Sequence, residues 1–158
     1  LLTASRLELG SENIVVEELD LLALAAEEAA RTSAQVNGTS TPYVGERRWL
    51  ARAIRNLLEN AKKYGGAEVL VSVTPDLDGG ALVVVEDNGS GVPEDLRKLV
   101  FQPFFRLPGM REGHDRGVGL GLALVRQICE RHNADVVCLE RVGGGSRFEL
   151  KFPPLGGP

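Results

Sequence analysis

Cysteine, histidine and aromatic residues are scarce in this chain of 158 residues. Its two cysteines, Cys129 and Cys138, are too few for a disulfide framework, and no Cys/His cluster has zinc-site spacing, so a reducing, cytosolic setting is expected. No apolar run approaches the roughly 20 residues that a membrane span needs, and Leu1 does not begin a signal peptide. The net charge of −4 argues against a general nucleic-acid binder, which would carry a basic surface.

The remaining composition is that of an ordinary globular protein. Hydrophobic residues make up 43% of the chain and charged residues 25%, which excludes wholesale disorder and collagen-like or coiled-coil architectures. A chain of this length buries roughly two thirds of its unfolded surface, so it can fold as one domain without disulfide or metal staples.

Hydrophobic periodicity predicts alternating helices and strand pairs. The strongest helix signal covers 46–64, where apolar residues recur at steps of three and four. Further helices are predicted at 20–31, 93–100 and 121–132, strands at 14–18, 69–73, 82–86, 135–141 and 146–152, and a break in regular structure at 35–45. Strands joined by local turns pair antiparallel, and the helices between the pairs must cover one face. We therefore expect an α+β fold, a two-layer sandwich with a mixed, mostly antiparallel sheet covered on one face by helices.

The first candidate constellation lies on the 46–64 helix. Arg52, Asn56, Asn60 and Lys63 follow one another at steps of four, four and three, so they line one face beside the apolar stripe. An amide oxygen is a hard, neutral ligand that suits Mg²⁺, and Lys63 one turn further on can reach a phosphate. The alternative is a solvated helix face that carries two amides by chance.

Two glycine-rich turns form the second and third constellations. Asp87 leaves a strand beside Gly89 and Gly91, where a carboxylate can accept a hydrogen bond from a nucleobase amine, although a plain Asp-Asn-Gly turn has the same sequence. The stretch 117–122 opens a helix with three alternating glycines, which is typical of an anion cradle. It matches neither the dinucleotide fingerprint nor the P-loop, and a flexible helix start is the alternative.

The polar segment 106–116 has no period and is predicted to be a mobile loop. Arg106, Arg111 and Arg116 lie in it or beside it and supply positive charge near a phosphate group, unless they are incidental to a solvated loop. No catalytic role is expected for either histidine, His114 or His132.

Together these motifs resemble the ATP-binding domain of sensor histidine kinases, in the Bergerat-fold superfamily that includes type II topoisomerases, Hsp90 chaperones and MutL repair proteins. The segment 56–64 resembles the N box and 87–91 the first glycine box. The segments 101–106, 117–122 and 144–148 resemble the F box, the second glycine box and the last glycine turn. The resemblance covers essentially the whole chain, and the order of the motifs makes it more specific than any one of them.

The resemblance implies a role for each matching residue. Asn60, with Asn56 beside it, would ligate Mg²⁺, and Asp87 would accept the hydrogen bond of the adenine amine. Ser146 would support adenine through water. The implied phosphate contacts are Lys63, Arg106, Gly117, Val118, Gly119, Leu120, Gly121 and Leu122. The residues implied to lie beside the nucleotide are Tyr64, Gly89, Gly91 and Val92. The segment of about 94–117 would be the ATP lid.

Two departures from the family pattern shape the expected activity. The hydrolysing branches carry a glutamate where Asn56 stands, and an amide cannot act as a general base, which favours phosphoryl transfer over ATP hydrolysis. The phosphorylated histidine of the family lies on an upstream helical hairpin. Residues 1–10 resemble only the last turns of that hairpin, and 11–158 would be the ATP-binding domain. The segment 30–45 also looks shorter than is usual in the family.

The resemblance further implies partners and a location. The expected partners are the chain's own upstream dimerisation and phosphoacceptor domain and the receiver domain of a response regulator, with no nucleic acid. A membrane is expected only through an N-terminal part of the parent protein, with this domain at the cytoplasmic face. Three alternatives remain: an ATPase or switch of another superfamily branch, an anti-sigma-type serine kinase, and a nucleotide-binding module without transfer.

Overall fold

The computed structural model of the chain describes residues 15–106 and 121–154. The strands are β1 (Glu17–Asp20), β2 (Gln35–Gly38), β3 (Pro42–Gly45), β4 (Val69–Pro75), β5 (Ala81–Asp87), β6 (Asp135–Glu140) and β7 (Ser146–Phe152). The α-helices are α1 (Leu21–Thr32), α2 (Arg47–Tyr64) and α3 (Gly121–Arg131), and two short 3₁₀ turns lie at Glu94–Leu96 and Leu99–Phe101. Within these stretches, no helix has the length and apolar character needed to cross a lipid bilayer.

Five strands form the main sheet in the order β2-β4-β5-β7-β6, while β1 and β3 form a separate antiparallel pair. The β4–β5, β5–β7 and β6–β7 pairs are antiparallel, and β2 pairs parallel with β4. The β4–β5 hairpin and the β6–β7 pair arise where the alternating sequence predicts them. The predicted sheet, mixed and mostly antiparallel, is confirmed.

The core lies between one face of this sheet and the helices. Val71 and Val83 on the sheet and Leu57 and Leu58 on α2 are completely buried. Each such side chain contributes about 1.5–3 kcal/mol by leaving water. α2 lies between α1 and α3 and contacts β4 and β5 beneath it, so its polar face emerges at the edge of this layer.

Several local predictions need correction. The stretch 35–45, predicted to lack regular structure, contains β2 and β3. Both strands have only four residues, and β2 is exposed throughout, so no hydrophobic alternation marks it. The predicted helix at 93–100 is instead two 3₁₀ turns of three residues each. The first strand continues to Asp20, because its pairing with β3 runs from Glu17 opposite Gly45 to Asp20 opposite Pro42.

A partly buried polar clamp joins the start of α2 to the end of α3. Both carboxylate oxygens of Glu46 accept hydrogen bonds from the guanidinium of Arg131, one of them at 2.9 Å from Nη2. The backbone N–H of Glu46 donates to Nε2 of His132 at 3.1 Å, and Nδ1 of His132 lies 2.9 Å from the carbonyl of Ile128. Nε2 therefore accepts and Nδ1 donates, which assigns the neutral Nδ1–H tautomer to His132.

We expect Glu46→Gln to destabilise the fold by about 3 kcal/mol at neutral pH, because Arg131 would lose its charged partner. Hydrogen bonds from Arg131 are the main reason that the pKa of Glu46 is lowered. A lowered folded-state pKa stabilises the fold above the unfolded pKa of about 4.3, and that contribution disappears as the pH falls through the folded value. Denaturant unfolding should therefore show a difference between wild type and variant that shrinks in acid. The exposed Glu27→Gln is the control, and a pH-independent difference would contradict this assignment.

Candidate functional site

Asp87 is the last residue of β5, a central strand of the main sheet, and it is only 4% exposed. Its Oδ1 accepts hydrogen bonds from the backbone N–H of Gly89 at 2.9 Å and of Ser146 at 3.4 Å. Within the described part of the chain both bonds use Oδ1, so Oδ2 is available for a ligand. A buried carboxylate held in this way has a fixed direction, as a group that recognises a donor must have.

Glycines from two other segments pack directly against this strand end. A Cβ at Gly65 would lie 2.5 Å from Cγ of Asp87, and one at Gly66 would lie 2.0 Å from Oδ1 of Asn88. A Cβ at Gly145 would lie 1.9 Å from the carbonyl oxygen of Asp87. No side chain fits at these distances, so glycine is what lets the end of α2 and the β6–β7 turn enclose Asp87. In the sequence, Gly65 and Gly66 indicate only the end of the predicted helix at 46–64.

The turn after Asp87 is equally close to its neighbours. A Cβ at Gly89 would lie 2.6 Å from the Cα of Gly65. Gly91 has a φ of +80°, in the left-handed region that favours glycine, and a Cβ there would lie 3.1 Å from the carbonyl oxygen of Gly145. Val92 follows and is buried in the core. The structure thus brings the first glycine box and the last glycine turn together.

Asn88 braces this turn against the segment before β4. Its Oδ1 accepts from the backbone N–H of Glu68 at 3.1 Å, and its Nδ2 donates to Oε1 of Glu68 at the same distance. Sequence reasoning missed this support. The only signal was an asparagine next to the acid, where a short polar side chain bonds nearby backbone readily.

The polar face of α2 lies beside the start of α3. Nδ2 of Asn56 donates to the carbonyl of Gly121 at 3.2 Å, which joins the N box to the last residues of the second glycine box. One turn further on, Asn60 is half-buried, and Lys63 is exposed at the end of the helix. The predicted grouping of amides and lysine on one face is therefore present.

Other predicted site residues are placed only in part. Tyr64 is half-buried, Ser146 is buried at the start of β7, and Arg106 is exposed. α3 begins at Gly121, as predicted, and the half-buried Leu122 packs against the core. The remaining residues lie outside the described part of the chain: Gly117, Val118, Gly119, Leu120, Arg111, Arg116 and His114.

The three phenylalanines at 101–105 behave differently from one another. Phe101 is buried and makes an edge-to-face contact with Phe148, with ring centroids 6.0 Å apart, and Phe105 packs against the core. Phe104 is 61% exposed. Phe104 therefore does not pack into the core as its two neighbours do, and its backbone has a positive φ of 66°.

The donor set tests whether these residues fit a magnesium ion. Among the described residues, no three His, Cys, Asp or Glu side chains come together as a metal site. The amide oxygens of Asn60 and Asn56 are neutral, and Mg²⁺ prefers six oxygen ligands, several of them water or phosphate. The residues therefore fit a nucleotide-bound Mg²⁺ ion, which would take most of its ligands from phosphates and water.

Comparison with known proteins identifies the family. The family model described as "Histidine kinase-, DNA gyrase B-, and HSP90-like ATPase" matches residues 45–156. The sensor-type histidine kinase PrrB of Mycobacterium tuberculosis is 34% identical over 157 residues, which cover 96% of this chain and 34% of PrrB. The sensor histidine kinase GtrS of Pseudomonas aeruginosa is 38% identical over 149 residues, covering 92% of this chain and 30% of GtrS. The chain thus spans about a third of the length of these relatives.

Solved structures agree with this result. The mycobacterial sensor histidine kinase MprB matches with a TM-score of 0.75 at 28% identity, covering 88% of this chain and 100% of that one. The ATP-binding domain of PrrB from Mycobacterium tuberculosis matches with a TM-score of 0.69 at 32% identity, covering 88% and 97%. The chain therefore belongs to the family of histidine kinase-, DNA gyrase B- and HSP90-like ATPases, within which it is a catalytic domain of the sensor histidine kinase type.

Proposed function

We propose that this domain binds Mg²⁺–ATP and donates the γ-phosphoryl group to a histidine on a separate dimerisation domain. The observation that carries the proposal is the buried carboxylate of Asp87, held by two backbone N–H groups and enclosed by three glycine-bearing segments. Asp87 lies against Gly65, which directly follows α2, the helix that carries the two amides.

Adenine recognition follows from the chemistry of this carboxylate. Oδ2 of Asp87 accepts the hydrogen bond of the exocyclic amine, which distinguishes adenine from a base with a carbonyl at that position. The N–H of Ser146 fixes the same carboxylate, and the Ser146 hydroxyl supports the ring through water. Gly89 and Gly91 let the turn pack closely against Gly65 and Gly145, which keeps Asp87 in place for the base, and Val92 follows beside the nucleotide.

The phosphates lie along α2 and the start of α3. Lys63 and Arg106 neutralise phosphate charge, and the second glycine box, 117–122, is assigned to phosphate binding because it directly precedes and begins α3. Asn60 and Asn56 would hold Mg²⁺ through their amide oxygens. When bound, that ion supplies charge neutralisation to the triphosphate.

The transfer step requires positioning more than acid–base chemistry. The acceptor imidazole forms a nitrogen–phosphorus bond as the bond from the γ-phosphorus to the bridging oxygen breaks, ADP leaves, and the imidazole N–H proton goes to solvent. Asn56 cannot activate water, and its Nδ2 already donates to the carbonyl of Gly121. Both features favour transfer over hydrolysis.

The wider setting follows from the same proposal. Residues 1–10 resemble the end of an upstream dimerisation hairpin, and we assign 11–158 to the ATP-binding domain, with an ATP lid at about 94–117. The parent protein is a membrane sensor whose ATP-binding domain faces the cytoplasm, and a response-regulator receiver domain takes the phosphoryl group from the histidine.

We expect Asn60→Ala to remove most of the gain in ATP affinity that Mg²⁺ provides. An amide oxygen in the metal's coordination shell contributes about tenfold or more, roughly 1.4 kcal/mol or above. Isothermal titration with ATP, with and without Mg²⁺, measures the gain in wild type, in Asn60→Ala and in the exposed control Asn37→Ala. Equal gains in all three proteins would remove Asn60 from the metal site.

The transfer itself is tested by mixing this domain with a hairpin domain that carries the acceptor histidine. With labelled ATP, acid-labile and base-stable phosphate should accumulate on the hairpin domain, and the domain alone should release little phosphate. Turnover at several ATP per second by the domain alone would instead indicate the hydrolysing branch.

A further inference from the structure

A cavity of about 560 Å³ lies between the two 3₁₀ turns, the second half of α3 and β6. Small-molecule sites typically have volumes of about 300–1,000 Å³. The lining residues include none of those proposed above to contact nucleotide or metal. One wall nevertheless adjoins the nucleotide site, because Nε of Arg97 donates to the carbonyl of Val92 at 3.0 Å.

The floor of this cavity is apolar and uncharged. Phe101, Cys129, Ala134 and Cys138 line it, and each is at most 6% exposed. Burial raises the pKa of Cys129 to about 12 and that of Cys138 to about 11, so both thiols are neutral at physiological pH. The floor therefore favours an aliphatic or aromatic group.

Arg97 lies at the edge of this floor, and its positive charge has no carboxylate at hydrogen-bond distance among the described residues. Its side chain is only 24% exposed, yet its carboxylate partner in the described part of the chain, Oε1 of Glu140, lies 3.7 Å from Nη2. That separation exceeds hydrogen-bond length, and the Glu140 side chain is 74% exposed. Among the described residues, the bond to Val92 is the one hydrogen bond that this guanidinium makes, although it has five N–H donors.

The lining carries three positive side chains, Arg97, Lys98 and Arg126, and three negative ones, Glu94, Glu130 and Asp135. All of them except Arg97 belong to exposed residues, where water screens their charge. Arg97 is therefore the one charged lining side chain that is held partly out of water beside the apolar floor. A guanidinium fork beside an apolar floor matches a planar anionic head on an apolar body.

We infer that this cavity binds a small amphipathic anion, with its carboxylate on Arg97 and its apolar body over Phe101, Cys129 and Cys138. The site shares residues 94–101 with the start of the proposed ATP lid, but none of its lining residues is a proposed nucleotide or metal contact, so its occupancy can be measured in the absence of ATP.

Octanoate is the probe, and octanol, which has the same chain without the charge, is its matched control. In amide NMR spectra of the wild-type domain, octanoate should shift signals of residues 94–101 and 134–139 saturably, and octanol should bind about tenfold more weakly, since a charge-assisted hydrogen bond is lost. Arg97→Met keeps the apolar stem and should weaken octanoate binding by a similar factor. The exposed Arg31→Met on α1 should not change it.

Each result decides the inference. Saturable shifts confined to the cavity and lost in Arg97→Met support it. Equal binding of octanoate and octanol, unchanged octanoate binding in folded Arg97→Met, or shifts centred on 87–92 in place of the cavity would overturn it. If Arg97→Met does not fold, the comparison of the two probes on wild type still decides.

Discussion

Replacing Asp87 with asparagine is expected to weaken Mg²⁺–ATP binding by about 100-fold or more. The variant amide can still accept the N–H groups of Gly89 and Ser146 through its oxygen. Its NH₂ group then occupies the position of Oδ2 and meets the adenine amine, donor against donor. Losing a charged hydrogen bond and leaving a donor unsatisfied costs about 3 kcal/mol or more of binding free energy. This energy corresponds to the expected loss of about 100-fold or more in affinity.

Isothermal titration measures this loss, and Asp78→Asn provides the matched control. Asp78 makes the same kind of contact, since its Oδ1 accepts the backbone N–H of Gly80 at 2.9 Å in the β4–β5 turn. The same acid-to-amide change at that turn should leave ATP affinity within about twofold. If Asp87→Asn, shown to be folded by its thermal transition, bound ATP as wild type does, adenine recognition would have to lie elsewhere.

The second large effect is expected at the turn between β6 and β7. Gly144 and Gly145 have similar backbone angles, with φ of +105° and +115°. A Cβ at Gly144 meets nothing within 4 Å, whereas a Cβ at Gly145 would lie 1.9 Å from the carbonyl oxygen of Asp87. Alanine therefore causes backbone strain at both positions but a collision with Asp87 at only one.

We expect Gly144→Ala to cost about 1–2 kcal/mol of stability through strain alone. Gly145→Ala should cost about 1–3 kcal/mol more, because the strand end that carries Asp87 must move, and it should also lose ATP affinity. Denaturant unfolding and titration of both variants separate strain from collision. Equal stability and equal ATP binding in the two variants would show that the close approach to Asp87 does not matter.

Hydrophobic periodicity was enough to predict the longer helices and strands. The amphipathic pattern of α2 and the alternation in β4, β5 and β7 predict these elements within a residue or two of their observed bounds. A long apolar stripe fits only one secondary structure with a single buried face, so it identifies both the type and the extent of the element. β2 escaped prediction because all four of its residues are exposed, and β3 because its two buried positions, Tyr43 and Gly45, are too few to form a recognisable pattern.

The chemistry of the site was visible in the sequence, and its packing was not. Asp87, Asn56 and Asn60 could be selected as polar groups in unusual places, and the family resemblance assigned their roles. That Gly65 and Gly145 close around Asp87 depends on segments far apart in the chain, as does the clamp of Glu46 with Arg131 and His132. No local pattern encodes contacts of this kind.

A crystal structure of this domain with Mg²⁺ and a non-hydrolysable ATP analogue tests the central claim most directly. The account predicts the adenine amine within hydrogen-bond distance of Oδ2 of Asp87, and the metal-bound phosphates along the Asn56–Asn60 face of α2. An analogue bound elsewhere, with Asp87 making no contact to the base, would contradict it.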